Sequence, residues 1–425
     1  MHNQGSCKTE ATNEQFLNNL FIMSSTMKSL DRMKLLGQIK GMCYEPTPSD
    51  VYERGVAPNC YDASCRDFDM DYFNTDFQQL WGDKDGGRDD LKTISGQGVN
   101  MMRLYNWTGN EAGGATLRNH ISFLDHCATN NLKVAVPFSN YNTTISATNA
   151  QNTANSIVNE LTTKGVLHSA VALWQVTNEF ELGGISPETV ATLIEYIIRA
   201  EEAAGITDDS NKIPIVVATS TAIEYGYSEQ SIGATQALQY ALQDGGTLKD
   251  GTVVTGNTYL SSRNVWTDRF AIGVQSFQYA TEIADFTTAC NTQFPELPIM
   301  LTEHGFDSVS AATATGGNKG THDDVNQGKI VATQISNCNA LHTSNDTFRG
   351  MCVFQWLNTY YKCGNSNQYS NTCTEGNFGQ VQWCDFGASQ PTNVTPTGTT
   401  TSGQSFPIDP VIKKTAVFDA VTNGF

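Results

Sequence analysis

The stretch "VALWQVTNEF", residues 171–180, is a run of β-branched and aromatic residues that ends on Asn178 and Glu179. Apolar on both faces, it reads as a strand covered on both sides, which is the condition of a parallel sheet sheathed by helices. The carboxylate at its tip needs a separate explanation. The dipeptide alone supplies none, because Asn-Glu also occurs at Asn13-Glu14, Asn110-Glu111 and Asn159-Glu160. The surrounding chain has to distinguish the four.

Seven further runs have the same character: "QIKGMCY" (38–44), "GVNMMRLYN" (98–106), "LKVAVPFS" (132–139), "IPIVVATS" (213–220), "TVVTGNTYL" (252–260), "LPIMLTEHG" (297–305) and "GMCVFQWL" (350–357). Amphipathic segments lie between them, such as 116–131 and 186–205. The second opens on Ser186 as N-cap with Pro187 at the first helical position, and it closes on Gly205. Eight strands alternating with helices predict an α/β fold, a (β/α)8 barrel. An open doubly wound sheet is the alternative, but no Gly-x-Gly-x-x-Gly turn follows the first strand. Two connections are unusually long, 45–97 after strand one and 358–409 after strand eight. Both are expected at the C-terminal face of the barrel, where active sites of this fold are assembled. A helix at 409–421 is expected to close the ring. Length alone would suggest two domains, but barrels often extend this far by loop insertion. The chain therefore divides into an N-terminal extension, 1–37, and a catalytic barrel, 38–425.

The 425 residues carry 43 acids against 25 bases, a formal charge of −18. That balance opposes binding to nucleic acid, phosphorylated substrates or anionic membrane surfaces and leaves a neutral ligand as the simplest partner. No apolar run reaches the length of a membrane span. "FLNNLFIM" (16–23) lacks a basic flank and reads as an N-terminal helix or a replaced leader. Of eleven cysteines, Cys43, Cys127, Cys290, Cys338 and Cys352 fall in periodic segments and read as buried small hydrophobes. Cys7, Cys60, Cys65, Cys363, Cys373 and Cys384 fall in polar loops and read as disulfide partners of a secreted chain. Sequons at Asn106, Asn142, Asn345 and Asn393 agree with secretion. No zinc-type spacing of Cys or His is present, so no metal and no cofactor is expected, and the chain is expected to be a monomer.

In the barrel, strand four ends on Asn178-Glu179 and strand seven on Glu303, in "IMLTEHGF". Their ends face each other across the mouth. Two facing carboxylates are what glycoside hydrolysis requires, one to protonate the leaving oxygen and one to attack the anomeric carbon. The other Asn-Glu pairs end no barrel strand. Glu179 suits the acid, because a second negative carboxylate nearby favours its protonated form. Glu303 must stay ionised, which a guanidinium such as Arg103 would promote. Aromatic residues crowd the strand ends, among them Tyr44, Tyr105 and Trp356, and sugar rings pack their C–H faces on such planes.

This order of residues resembles clan A of the glycoside hydrolases, retaining (β/α)8 enzymes. The resemblance implies Glu179 as general acid/base, Glu303 as nucleophile and Asn178 as the residue that binds the sugar 2-hydroxyl. It further implies Arg103 and Tyr259 as partners of the nucleophile and Trp356 as the floor of the cleft. His304 is expected to contact the nucleophile or a sugar hydroxyl, or to act by a hydrogen bond one layer further out. Within the clan, "IKGMCYEP", "GGRDDLKTISGQGVNMMRLYNW" and "PIMLTEHGF" are similar to the fungal β-1,3-glucanosyltransferases of family 72, and "RLY" to the β-1,3-glucanases of family 17. Two departures stand out: His304 replaces the Tyr that usually follows the nucleophile, and strand eight reads "VFQWLN" instead of "YFEEAN". The expectation is a retaining hydrolase of β-glucan, most of all endo-β-1,3-glucan. The alternatives are a transglycosidase on the same residues, a clan A hydrolase of β-1,4-mannan or β-1,4-glucan, or a glycan-binding protein without catalysis.

Overall fold

Eight parallel strands close into a ring in a computed structural model that describes residues 26–49, 71–111, 114–116, 118–220, 229–277, 280–295, 297–318, 320–360, 373–384, 397–399 and 405–425. The strands are β1 (Ile39–Cys43), β2 (Met101–Arg103), β3 (Lys133–Phe138), β4 (Val171–Asn178), β5 (Ile215–Thr219), β6 (Phe270–Ser276), β7 (Ile299–His304) and β8 (Phe348–Val353). Each pairs with its neighbours in chain order, and β8 closes on β1 with Ile39 opposite Gly350 and Gly41 opposite Cys352. Gly350 has φ +124° and a Cβ there would collide with the Ile39 carbonyl, so the seam depends on glycine. The (β/α)8 barrel expected from the sequence is the fold observed.

Around the ring run α1 (Ser29–Leu35), α2 (Asp90–Ser95), α3 (Ile121–Thr129), α4 (Ala147–Leu161), α5 (Pro187–Ala203), α6 (Glu229–Leu242), α7 (Ala280–Gln293), α8 (Asp324–Ser344) and α9 (Thr415–Gly424). Their starts follow capping chemistry. Ser186 accepts from Thr189 N at α5, Ser146 from Asn149 N at α4 and Asp323 from Asn326 N at α8. Two cores result. One lies inside the ring and includes Ile39, Cys43, Met101, Ala172, Val216, Met300 and Cys352. The other lies between ring and helices and includes Met42, Leu104, Trp174, Ile194, Leu301 and Val421. Alternate residues of one strand supply the two, which is why the strands read as continuous apolar runs.

Helix α1, from the segment assigned to the extension, stops the N-terminal end of the ring. Met33 enters the inner core, Ser29 Oγ donates to the Phe270 carbonyl at 2.5 Å and Arg32 Nε to the Asp268 carbonyl at 2.8 Å.

Three expectations are corrected. The sixth strand is Phe270–Ser276, not the run at 252–260; Val253–Val254 instead forms a short antiparallel pair with Gly246–Thr247. The closing helix begins at Thr415, because Val411–Lys413 is a strand paired with Val381–Trp383. Asn106 and Asn142 are buried, so these two sequons are not surface acceptors. The five cysteines of the periodic segments are buried free thiols, as expected. Cys7, Cys60, Cys65, Cys363, Asn393 and the apolar run at 16–23 lie outside the described residues. No helix among the described residues is long and apolar enough to cross a membrane.

Candidate active site

The end of β4 is bent to present its polar residues. Thr177 and Glu179 both adopt left-handed backbone, with φ 58° and 45°. Each such non-glycine residue costs roughly 1–2 kcal/mol. The pairing register between β4 and β5 also shifts between Val176 and Asn178. A bulge of this kind re-aims side chains at a strand end. Asn140, after β3, holds the bend at both ends of the Asn178 peptide: its Nδ2 donates to the Asn178 carbonyl and its Oδ1 accepts from Asn178 N, both at 2.8 Å. Glu179 N in turn donates to the Ala218 carbonyl of β5 at 3.1 Å.

Arg103, at the end of β2, is fully buried and donates to side chains from two other strands, β4 and β7. Its Nε donates to Gln175 Oε1 at 2.9 Å, its Nη2 to Asn178 Oδ1 at 2.5 Å and its Nη1 to Glu303 Oε1. Glu303 Oε1 also accepts from Tyr105 Oη at 2.9 Å and Gln275 Nε2 at 3.0 Å. Gln275 Nε2 also lies 2.5 Å from Asn178 Oδ1. One carboxylate oxygen therefore meets three donors, while Asn178 Nδ2 has no partner among the described residues.

Glu179 differs from Glu303 in kind. Among the described residues no donor is bonded to its carboxyl. Burial first, and then the charge of Glu303, push its pKa from 4.5 up to about 7. Arg103 works in the opposite direction, and Glu181 and Glu375 add to the rise. The site thus sets a carboxylate held in an ion pair beside a carboxyl that keeps its proton up to about pH 7.

His304 follows Glu303 but turns away from it. Its Nδ1 donates to the Ser276 carbonyl at 2.5 Å, and burial lowers its pKa to about 4, so the ring is neutral. Tyr105 is at the site; Tyr44 is not, since its hydroxyl donates to Asp90 at 3.0 Å and its ring packs in the outer core.

Two further expected site residues are corrected. Tyr259 lies in a short helix, Thr258–Ser261, whose preceding Asn257 caps it. Its hydroxyl donates to Glu202 on α5 at 2.7 Å, and the guanidinium groups of Arg199 and Arg263 stack on its ring at 3.8 and 3.5 Å. Trp356 is 1% exposed and packs in the outer core with its ring centroid 6.4 Å from that of Phe418 on α9. Strand β8 ends at Val353, so the two-residue period that would have turned Trp356 inward no longer applies.

Several residues went unnoticed in the sequence. Gln275, and not Tyr259, donates to Glu303, and Gln175 braces Arg103. Phe277, Phe354 and Phe378 form an aromatic cluster against the inner core, their ring centroids 5.1–5.5 Å apart in tilted and edge-on pairs. The signal for Gln275 was its place at the end of "FAIGVQS", had that run been taken as strand six. Among the described residues no group of three or more Cys, His, Asp or Glu is placed to hold a metal ion.

No protein-family model and no curated protein sequence matches the chain. Among solved structures, the virulence factor SghA in complex with its substrate analog salicin aligns with a TM-score of 0.50 at 12% identity, over 93% of this chain and 98% of that one. A beta-glucosidase from Exiguobacterium marinum aligns with a TM-score of 0.47 at 13% identity, over 81% of this chain and 93% of that one. Bacteroides uniformis beta-glucuronidase aligns with a TM-score of 0.45 at 12% identity, over 81% of this chain; the chain covers only 33% of that enzyme's length. At 12% identity the likeness to SghA shows the fold alone.

Proposed function

We propose that the chain is a retaining glycoside hydrolase of β-glucan, with endo-β-1,3-glucan as substrate. The observation that supports this best is the contrast between Glu303, in an ion pair with Arg103, and Glu179, with its pKa pushed up to about 7. Glu179 gives its proton to the glycosidic oxygen as Glu303 attacks the anomeric carbon. The carbon–oxygen bond breaks and a glycosyl ester forms on Glu303. Glu179, now ionised, takes a proton from water as that water displaces the ester. Asn178, fixed through its Oδ1, keeps Nδ2 for the sugar 2-hydroxyl. The β-1,3 linkage is supported by the resemblance of "IKGMCYEP" and "PIMLTEHGF" to β-1,3-glucan enzymes. A neutral polysaccharide or oligosaccharide partner, secretion with paired loop cysteines and a monomeric state belong to the same proposal.

Laminarin, lichenan, mannan and cellulose tested side by side decide the linkage. Proton NMR of the first products decides the stereochemistry. Laminarin cleaved into shorter β-anomers is expected. Products longer than the donor would make the chain a transglycosidase, and no turnover of any of the four polymers would sink the proposal.

A further inference from the structure

Glu181 stands two residues beyond Glu179 on the same turn, which is closed by Leu182 N and Gly183 N donating to the Glu179 carbonyl at 3.0 and 3.1 Å. One oxygen of Glu181, Oε1, accepts from the backbone N–H of Ser220 just past β5. The other, Oε2, is buried and has no hydrogen-bond partner among the described residues. A carboxylate normally gathers donors on both oxygens when it is withdrawn from water. Here half of the charge is unmet, and its field falls on its surroundings at short range and low dielectric. No cation is ion-paired with Glu181 among the described residues.

We propose that Glu181 is a positioning residue of the site: anchored on the end of β5, its carboxylate adds to the negative field at Glu179 and so moves the upper pH limit of the reaction to higher pH. The charged groups that act on Glu179 come from every side of the mouth: Glu303 on β7, Arg103 on β2, Glu375 in the segment after β8, and Glu181 on the turn itself. Arg103 is committed to Glu303, Asn178 and Gln175. Glu375 is exposed and screened by water. Glu181 is the acid that the backbone fixes beside Glu179, and its loss removes a negative charge without touching the ion pair of the nucleophile. Its role in turnover rests on the proposed hydrolase reading; its effect on Glu179 does not.

The test is a carbon-13 NMR titration of the Glu179 carboxyl in the full chain, assigned by its absence in E179Q. The wild type is expected to titrate near 7. Replacing Glu181 by Gln keeps an acceptor for Ser220 N and removes the charge, and the midpoint falls by on the order of half a unit. Glu181→Asp keeps the charge and holds the midpoint closer to the wild-type value. The alkaline limb of kcat/KM follows the same order. A midpoint in E181Q equal to that of the wild type, or one in E181D as low as in E181Q, would overturn the proposal. The titration reads the same whether or not the protein cleaves β-glycosides, so failure of the hydrolase reading is seen separately, as an absence of turnover.

Discussion

Arg103 on β2 reaches across the mouth of the barrel to pair with Glu303 on β7, three positions away round the ring, and the same guanidinium donates to Asn178 on β4. A single buried cation therefore fixes the Glu303 carboxylate and the Asn178 amide, the proposed nucleophile and sugar ligand, in one frame. Its planar fork is what allows three separate bonds.

Lysine at this position keeps the charge and loses the fork. Arg103→Lys is expected to fold and to lose about 100-fold or more in kcat/KM, because displacements of about 1 Å at a reacting centre cost that much. Kinetics on laminari-oligosaccharides check it. Wild-type kcat/KM in the variant would show that the fork has no part in positioning.

The pH profile follows from Glu179. A general acid works only while protonated, and burial and Glu303 push this group up to about 7. Turnover is expected to persist at weakly acid pH and to fall as pH rises through about 7. An alkaline limb near the usual carboxylate range would contradict the assignment. In Glu179→Gln the limb disappears and hydrolysis of unactivated substrates drops by about 10²–10⁴-fold.

Tyr259 supplies the opposite kind of test. Its hydroxyl is bonded to Glu202 on the helical side of the ring, so Tyr259→Phe is expected to leave kcat and KM at wild-type values. A large fall in kcat would restore it to the nucleophile's surroundings.

Stability carries its own pH signature. His120 is buried between two acids, with Nδ1 3.0 Å from Glu160 and Nε2 3.0 Å from Asp71, and Trp107 stacks on its ring at 4.2 Å. Burial alone would lower its pKa, but the two carboxylates raise it from 6.5 to about 9. A raised folded-state value stabilises fully below the unfolded pKa of 6.5, and that contribution is lost as pH rises through about 9. The melting temperature of the wild type is expected to fall over this window more steeply than that of His120→Gln. Parallel curves for the two proteins would refute the linkage.

Seven of the eight barrel strands and the placement of Glu179, Glu303, Asn178, Arg103 and Tyr105 were legible in the sequence, since two-sided burial leaves continuous apolar runs and the chain order of a barrel is its spatial order. The sixth strand was not. Between β5 and β7 two runs compete, and local propensity does not distinguish the hairpin at Val253–Val254 from the barrel strand Phe270–Ser276. Choosing the first put Tyr259 at the site and hid Gln275. Trp356 was misread for a different reason, because the side-chain period holds only as far as Val353, where the strand stops. The pairing of Glu181 with Ser220 joins two loops and leaves no pattern in the sequence.

The central claim is that Glu303 carries the sugar. Incubation with a 2-deoxy-2-fluoro-β-glucoside bearing a good leaving group slows the second displacement and lets the glycosyl ester accumulate. Peptide mass mapping is then predicted to find the label on Glu303, in the peptide containing "IMLTEHGF". A label on another carboxylate, or an active protein that never becomes labelled, would contradict the account.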